Sequence, residues 1–106
     1  MSDHTGEEGM EMKAEAVPRL ENDEVRVTEW RLAAGAETGW HRHDYDYVVV
    51  PLTDGRLRLV AGAEETIAEL KQGVAYFRKA GVEHNVVNAG ESPLAFVDVE
   101  LVEHPG

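Results

Sequence analysis

Gly39-Trp40-His41-Arg42-His43-Asp44-Tyr45-Asp46-Tyr47-Val48-Val49-Val50-Pro51-Leu52-Thr53-Asp54-Gly55 holds, within seventeen residues, both the strand pattern and the chemistry on which the reading of this chain turns. Val48 to Leu52 is its longest uninterrupted apolar run, rich in the β-branched side chains that fit a pleated surface. It is followed by Asp54-Gly55, residues that tolerate the positive φ of a tight turn and so signal a hairpin. His41 and His43 stand two apart. On a strand both imidazoles project from one face, and their ring nitrogens can converge on a metal ion.

Outward from this stretch, from Val17 onward, short runs of Val, Leu, Tyr and Phe are broken by Gly, Pro, Asn or Asp, the punctuation of an all-β chain. The spacing predicts strands over Val25–Leu32, Tyr45–Leu52, Arg56–Val60, Thr66–Leu70, Ala75–Lys79, His84–Asn88 and Leu94–Val102. In the last of these Ala95, Val97, Val99 and Leu101 alternate with Phe96, Asp98, Glu100 and Val102, the period of a half-buried strand. Only Ala61–Glu69 competes weakly as a helix. Several antiparallel strands without a long helix imply a sandwich, a jelly roll or a barrel.

At 106 residues the chain has room for one domain. The absence of cysteine excludes disulfides, thiolate metal sites and catalytic thiols. The apolar runs are far below the ~20 residues that span a bilayer, which points to a soluble, cytoplasmic protein. A formal net charge of −11 opposes both nucleic acid and anionic membrane as partners. Part of that charge lies in residues 1–16, where Asp3, Glu7, Glu8, Glu11 and Glu15 face one Lys13 without aromatic or β-branched aliphatic residues. Such a segment buries too little to offset its ordering entropy, so residues 1–16 are expected to be a mobile tail before a folded domain over 17–106.

A third histidine, His84, lies about forty residues beyond the pair, in Gly81-Val82-Glu83-His84-Asn85. Together the two segments resemble the paired motifs of the cupin superfamily. The first motif runs Gly, five residues, His-x-His, three or four residues, Glu, six residues, Gly; here it reads Gly35, five residues, His41-Arg42-His43, three residues, Tyr47, then Gly55 one place late. The second runs Gly, five residues, Pro-x-Gly, two residues, His, three residues, Asn; here Gly73, Lys79-Ala80-Gly81, His84 and Asn88 keep that spacing with Lys79 in place of the proline. More narrowly, the segments around Trp40–Leu52 and Phe77–His84 are similar to those of small single-domain bacterial cupins, some labelled β-alanine degradation proteins. The resemblance implies a jelly-roll barrel, a homodimer and a divalent metal ion (Fe, Ni, Mn or Zn) on His41, His43 and His84.

One departure matters most. The first motif's glutamate, usually the fourth ligand, is replaced by Tyr47. On an unbroken strand His41, His43, Tyr45, Tyr47 and Val49 share a face, while Asp44 and Asp46 point away. A phenol with a pKa near ~10 is a poor substitute for a carboxylate. The expected site is therefore three histidines with water or substrate in the open positions, and Tyr47 and Tyr45 as candidate acid or base residues. Asp46, through a bulge, or the remote carboxylates Glu29 and Asp98 are alternative fourth ligands.

Glu29 breaks the alternation of its strand, which suggests a bulge or an inward carboxylate. Tyr76, Arg78 and Arg31 could line a mouth that selects a carboxylate, against the plainer reading of a solvated strand face. Asn88 could hydrogen-bond beside the site or hold structure, and His4 and His104 are expected to be exposed and idle. Three functions follow: a metal-dependent enzyme of dioxygenase, isomerase or lyase type acting on a small, carboxylated metabolite; a non-catalytic ligand-binding module or sensor; and a structural dimer whose histidines are relics.

Overall fold

Residues 13–102 are described by the computed structural model, and among them the chain forms nine strands. They are β1 (Glu15–Glu21), β2 (Val25–Leu32), β3 (His41–Arg42), β4 (Tyr47–Pro51), β5 (Gly55–Ala61), β6 (Glu64–Leu70), β7 (Tyr76–Arg78), β8 (Glu83–Asn88) and β9 (Leu94–Leu101). A five-stranded sheet in the order β1-β2-β9-β4-β7 packs on a four-stranded sheet in the order β3-β8-β5-β6, with all strand pairs antiparallel. This is the all-β jelly roll that the family resemblance implied, one of the architectures the strand spacing left open. Residues 61–69 extend the β5–β6 hairpin, so the weak helical alternative is excluded.

The core takes side chains from both sheets. Leu32, Leu57, Leu70 and Leu94 are all but fully buried and meet Val49, Val86 and Phe96 in one cluster. Each such side chain contributes roughly 1.5–3 kcal/mol by leaving water. Asn88 belongs to this end of the barrel: it is 1% exposed. Its Nδ2 donates to the carbonyls of Leu32 at 3.0 Å and Ser92 at 2.9 Å, and its Oδ1 accepts from Gly90 N. It fastens a loop rather than touching a ligand.

Three local expectations are corrected. The folded body includes residues 13–16: Lys13 bridges Glu37, Ala14 N donates to the Glu37 carbonyl at 2.9 Å, and Glu15 and Ala16 lie in β1, paired with Arg31 and Trp30. A mostly exposed edge strand needs little apolar surface of its own, because the ladder to β2 supplies its order. Residues 1–12, with His4, and 103–106, with His104, lie outside the described residues.

Asp54-Gly55 is not a hairpin turn, since β4 and β5 belong to opposite sheets and the chain crosses between them there. Asp54 instead accepts from Gln72 N, and a Cβ on Gly55 would stand 2.9 Å from Leu94 Cδ2. The glycine serves close packing. Thirdly, Glu29 neither bulges nor turns inward: β2 pairs with β9 in unbroken register, and Glu29 lies on the outer face, gripped by Arg19 and Arg31.

Candidate metal centre

The three histidines reach one point from two strands and a loop. β3 pairs with β8 so that His41 and His84 are direct cross-strand partners. The chain then leaves β3, and His43 is pinned beside the same strand end by backbone bonds, its N–H to the Val82 carbonyl and its carbonyl from Gly81 N, both at 2.8 Å. One ring nitrogen from each histidine lies within 4.8 Å of the other two.

His41 Nε2 and His43 Nε2 stand 3.1 Å apart. Two imidazole nitrogens, each ~2.1 Å from one ion, keep about that separation at tetrahedral or octahedral angles, so the pair fits a shared divalent metal. Electrostatics agree. Burial first, and then the neighbouring His41, hold His43 and His84 down to about 4, which leaves both rings neutral at physiological pH with lone pairs free. The His41 tautomer is fixed from behind: its Nδ1–H donates to the Gly39 carbonyl at 2.9 Å, beside Thr38 Oγ1 at 3.2 Å, which turns the Nε2 lone pair toward the site. Gly39 itself has a φ of 88° and is anchored by Asn85 Oδ1 at 2.9 Å.

These rings form the polar end of an interior cavity of about 30 Å³, enough for one or two water molecules. Its walls include Trp30, Leu59 and Phe96 on the apolar side and Tyr47, Tyr76, Arg78 and Asp98 on the polar side. A groove of about 210 Å³ reaches His41 and His43 from the β2–β3 side, between Thr28, Trp30, Arg42 and Glu100. A small molecule can approach the rings by that route.

Tyr47 is buried and stacks on His43, with ring centroids 3.9 Å apart and planes 15° off parallel. Burial, and then the nearby Asp98, push its hydroxyl up to about 12, so it stays protonated at neutral pH. Asp98 is 7% exposed, its Oδ1 has no hydrogen-bond partner among the described residues, and burial followed by Glu100 pushes it up to about 7. Of the named acids it is therefore the one poised to exchange a proton near neutrality.

Of the remaining candidates, Tyr45, Asp46 and Arg31 stay outside the cavity. Tyr45 sits at a bend between β3 and β4, with the Arg26 guanidinium 6.0 Å from its ring, and it does not line the cavity. The parity argument assumed one unbroken strand, and the bend voids it for Tyr45 while His43 and Tyr47 remain inside. Asp46 accepts from Ala80 N at 2.8 Å and lies 4.0 Å from Lys79 Nζ, which ties it to the β7–β8 turn. Arg31 is held at the outer face by Glu29. Tyr76 and Arg78 do line the cavity, the guanidinium 4.4 Å from the Tyr76 ring centroid. The sequence reading missed Trp30, Thr38 and Glu100; the mixed face of β9, Phe96-x-Asp98-x-Glu100, was the signal for the last.

Fold, motif spacing and histidine geometry together define the class. Residues 28–100 match the family profile described as Cupin domain, and the chain belongs to the cupin family. It is 56% identical to the β-alanine degradation protein BauB of Pseudomonas aeruginosa, over 87% of this chain and 99% of that one. Among solved structures, a cupin domain from Bordetella pertussis Tohama I superposes with a TM-score of 0.81 at 46% identity, covering 84% of this chain and 93% of that chain. The polyketide cyclase RemF of Streptomyces resistomycificus superposes at 0.60 with 25% identity, over 80% of this chain and 59% of that one.

Proposed function

We propose that this cupin binds a divalent metal ion, Fe, Ni, Mn or Zn, on His41, His43 and His84 and acts as an enzyme on a small, carboxylated metabolite. The convergence of three imidazoles at the polar end of a cavity carries the reading. A bound ion would supply Lewis-acid polarisation or, as iron, an open position for dioxygen chemistry. The chain's own residues divide the remaining tasks. Arg78 presents a guanidinium suited to a carboxylate, Tyr47 donates a hydrogen bond, and Asp98 holds or releases a proton. Trp30, Leu59 and Phe96 keep bulk water from the wall opposite. Isomerase, lyase and dioxygenase chemistries all draw on this set, and the name of the 56% identical BauB supports a substrate derived from a small amino acid.

The same reading makes the protein a homodimer. Across the outer face of the five-stranded sheet Val27, Val99, Val48 and Phe77 stand side by side in register, and Phe77 is 49% exposed. Such a contiguous apolar row suits a second copy, and a monomer by light scattering at micromolar concentration would overturn this part.

Elemental mass spectrometry on untagged protein tests the core of the proposal, comparing the native chain with a His41→Ala/His84→Ala variant. Near-stoichiometric metal that disappears in the folded variant is the expected result. A native protein that is metal-free and takes up none of the four ions overturns it. Metal uptake with a ligand-dependent rise in melting temperature but no turnover would leave the binding-module reading in place of the enzyme.

A further inference from the structure

His43 differs from His41 in one respect. The Nδ1 of His41 has its acceptor in Gly39, whereas His43 Nδ1 is buried and has no hydrogen-bond partner among the described residues. Its Nε2 faces the site, so Nδ1 lies on the opposite edge of the ring. There Glu100 Oε2 stands 3.6 Å away, a few tenths of an ångström beyond a hydrogen bond. Glu100 is not free to wander. Its other oxygen accepts from Arg26 Nη1 at 3.0 Å, across the β2–β9 register that pairs the two residues. Arg26 in turn reaches Glu21 Oε2 at 3.4 Å and lies over the Tyr45 ring.

An imidazole that gives its Nε2 lone pair to an ion must carry its proton on Nδ1, and a buried N–H without an acceptor is costly. We infer that Glu100 is a positioning residue for the metal, the outer carboxylate that accepts the His43 Nδ1–H once Nε2 is engaged, with Arg26 fixing its aim. This rests on the three-histidine reading above and deepens it. The carboxylate that Tyr47 displaced from the first motif is replaced by one that acts through a ligand, from the far end of β9. It also gives the Arg26–Glu100 pair a task beyond surface electrostatics, and it gives Tyr45 a place as a brace for Arg26 rather than as an acid or base.

The test is the affinity of the full chain for Zn(II) and for Co(II), by competition with a chromophoric chelator, in native protein and in Glu100→Ala, Glu100→Gln and Arg26→Ala. Loss of an outer hydrogen-bond partner typically lowers metal affinity about 10- to 100-fold, and that drop is expected for Glu100→Ala. Glu100→Gln keeps an acceptor and should recover part of it. Arg26→Ala, which frees the carboxylate without removing it, should fall between native and Glu100→Ala. Nitrogen and proton NMR of Zn(II)-loaded native protein should show His43 protonated at Nδ1 with the downfield N–H of a bond to a carboxylate, and loaded Glu100→Ala should keep the proton but lose the downfield shift. A purely structural role would lower the melting temperature of the metal-free chain yet leave affinity per folded molecule unchanged. Affinities of both Glu100 variants within about twofold of native overturn the inference, well short of the expected loss. Native protein that binds neither ion fails the three-histidine reading itself, a result distinct from tight native binding with unaffected variants.

Discussion

The two ends of the barrel interior obey different chemistry, although the same strands build both. Along the inward face of β9 the residues run Leu94, Phe96, Asp98, Glu100; along β2, read backwards, they run Leu32, Trp30, Thr28, Arg26; along β4, read backwards, Pro51, Val49, Tyr47. Each strand thus passes from apolar to polar over two or three inward positions, and all three pass in the same direction in space because they pair antiparallel. At the closed end, around Asn88, no buried side-chain nitrogen or oxygen among the described residues lacks a partner, since Asn88 uses both of its amide atoms. At the histidine end His43 Nδ1 and Asp98 Oδ1 both lack one. Stability is thereby concentrated in one half of the barrel and unspent hydrogen-bonding capacity in the other, as expected where a site is built at the expense of local stability.

Emptying the closed end should give the largest effect on stability. Leu70 is 2% exposed within the cluster of Leu32, Leu57 and Leu94 and is not among the residues lining the histidine cavity. Leu70→Ala is expected to destabilise the fold by about 2–5 kcal/mol, through lost transfer energy and the cavity left behind. Urea denaturation of metal-free protein measures it, and the metal bound per folded molecule should not change. The contrast with His84→Ala, which should abolish metal while leaving the metal-free fold near native stability, would break down if both variants lost both properties.

At the opposite end, removing a charge should stabilise. Asp98 carries its carboxyl at about 7, far above the usual 3.8 of a free aspartate, because burial and Glu100 disfavour its charged form. Above neutral pH the folded state must bear that charge without a partner for Oδ1. Asp98→Asn keeps the shape and removes the charge, so a gain of order 1–3 kcal/mol is expected at pH 7.5. The gain should vanish near pH 4, where the native carboxyl is already neutral. A variant less stable than native at pH 7.5 would mean that the ionised Asp98 carboxylate is favourably solvated where it stands.

How much of this contrast was legible beforehand depends on what each residue's placement required. β2 could be read to the residue, and the three histidines could be named, because β-rich runs bounded by turn residues and motif spacing are local signals. Tyr45 could not be placed, since a bend after His43 is set by the tertiary bonds of His43 to Val82 and Gly81. β1 was hidden for a related reason: an edge strand held by its ladder leaves little apolar pattern to read. On β9 the sequence shows one uniformly apolar face and one mixed face, and simple burial arguments favour turning the uniform face inward. The fold does the opposite. Phe96 and Asp98 point in while Val97 and Val99 form the outer row, because the barrel's core lies on the mixed side and the apolar side covers the outer sheet face. A strand whose polar face is the buried one is evidence of a site, and that inversion becomes visible only once the partner strands are known.

The most gradual effect is the pH dependence of the metal-free protein, and it sums both kinds of unspent group. His43 and His84 titrate near 4 when folded and near 6.5 when unfolded, so between these values the unfolded chain binds up to two more protons, and stability falls as pH drops. Asp98 works the other way: between 3.8 and about 7 the folded state binds the extra proton, and stability rises as pH drops. The histidines outnumber the carboxyl, so chelator-treated protein should lose stability on acidification from pH 6.5 toward 4.5 with a net uptake of about one proton, roughly 1.4 kcal/mol per pH unit at most. Denaturation midpoints across that window give the slope directly. In Asp98→Asn the opposing proton is gone, and the slope should approach twice the native one; an unchanged slope would show that Asp98 titrates normally in the folded state and that the polar end of the barrel is wetter than its burial implies.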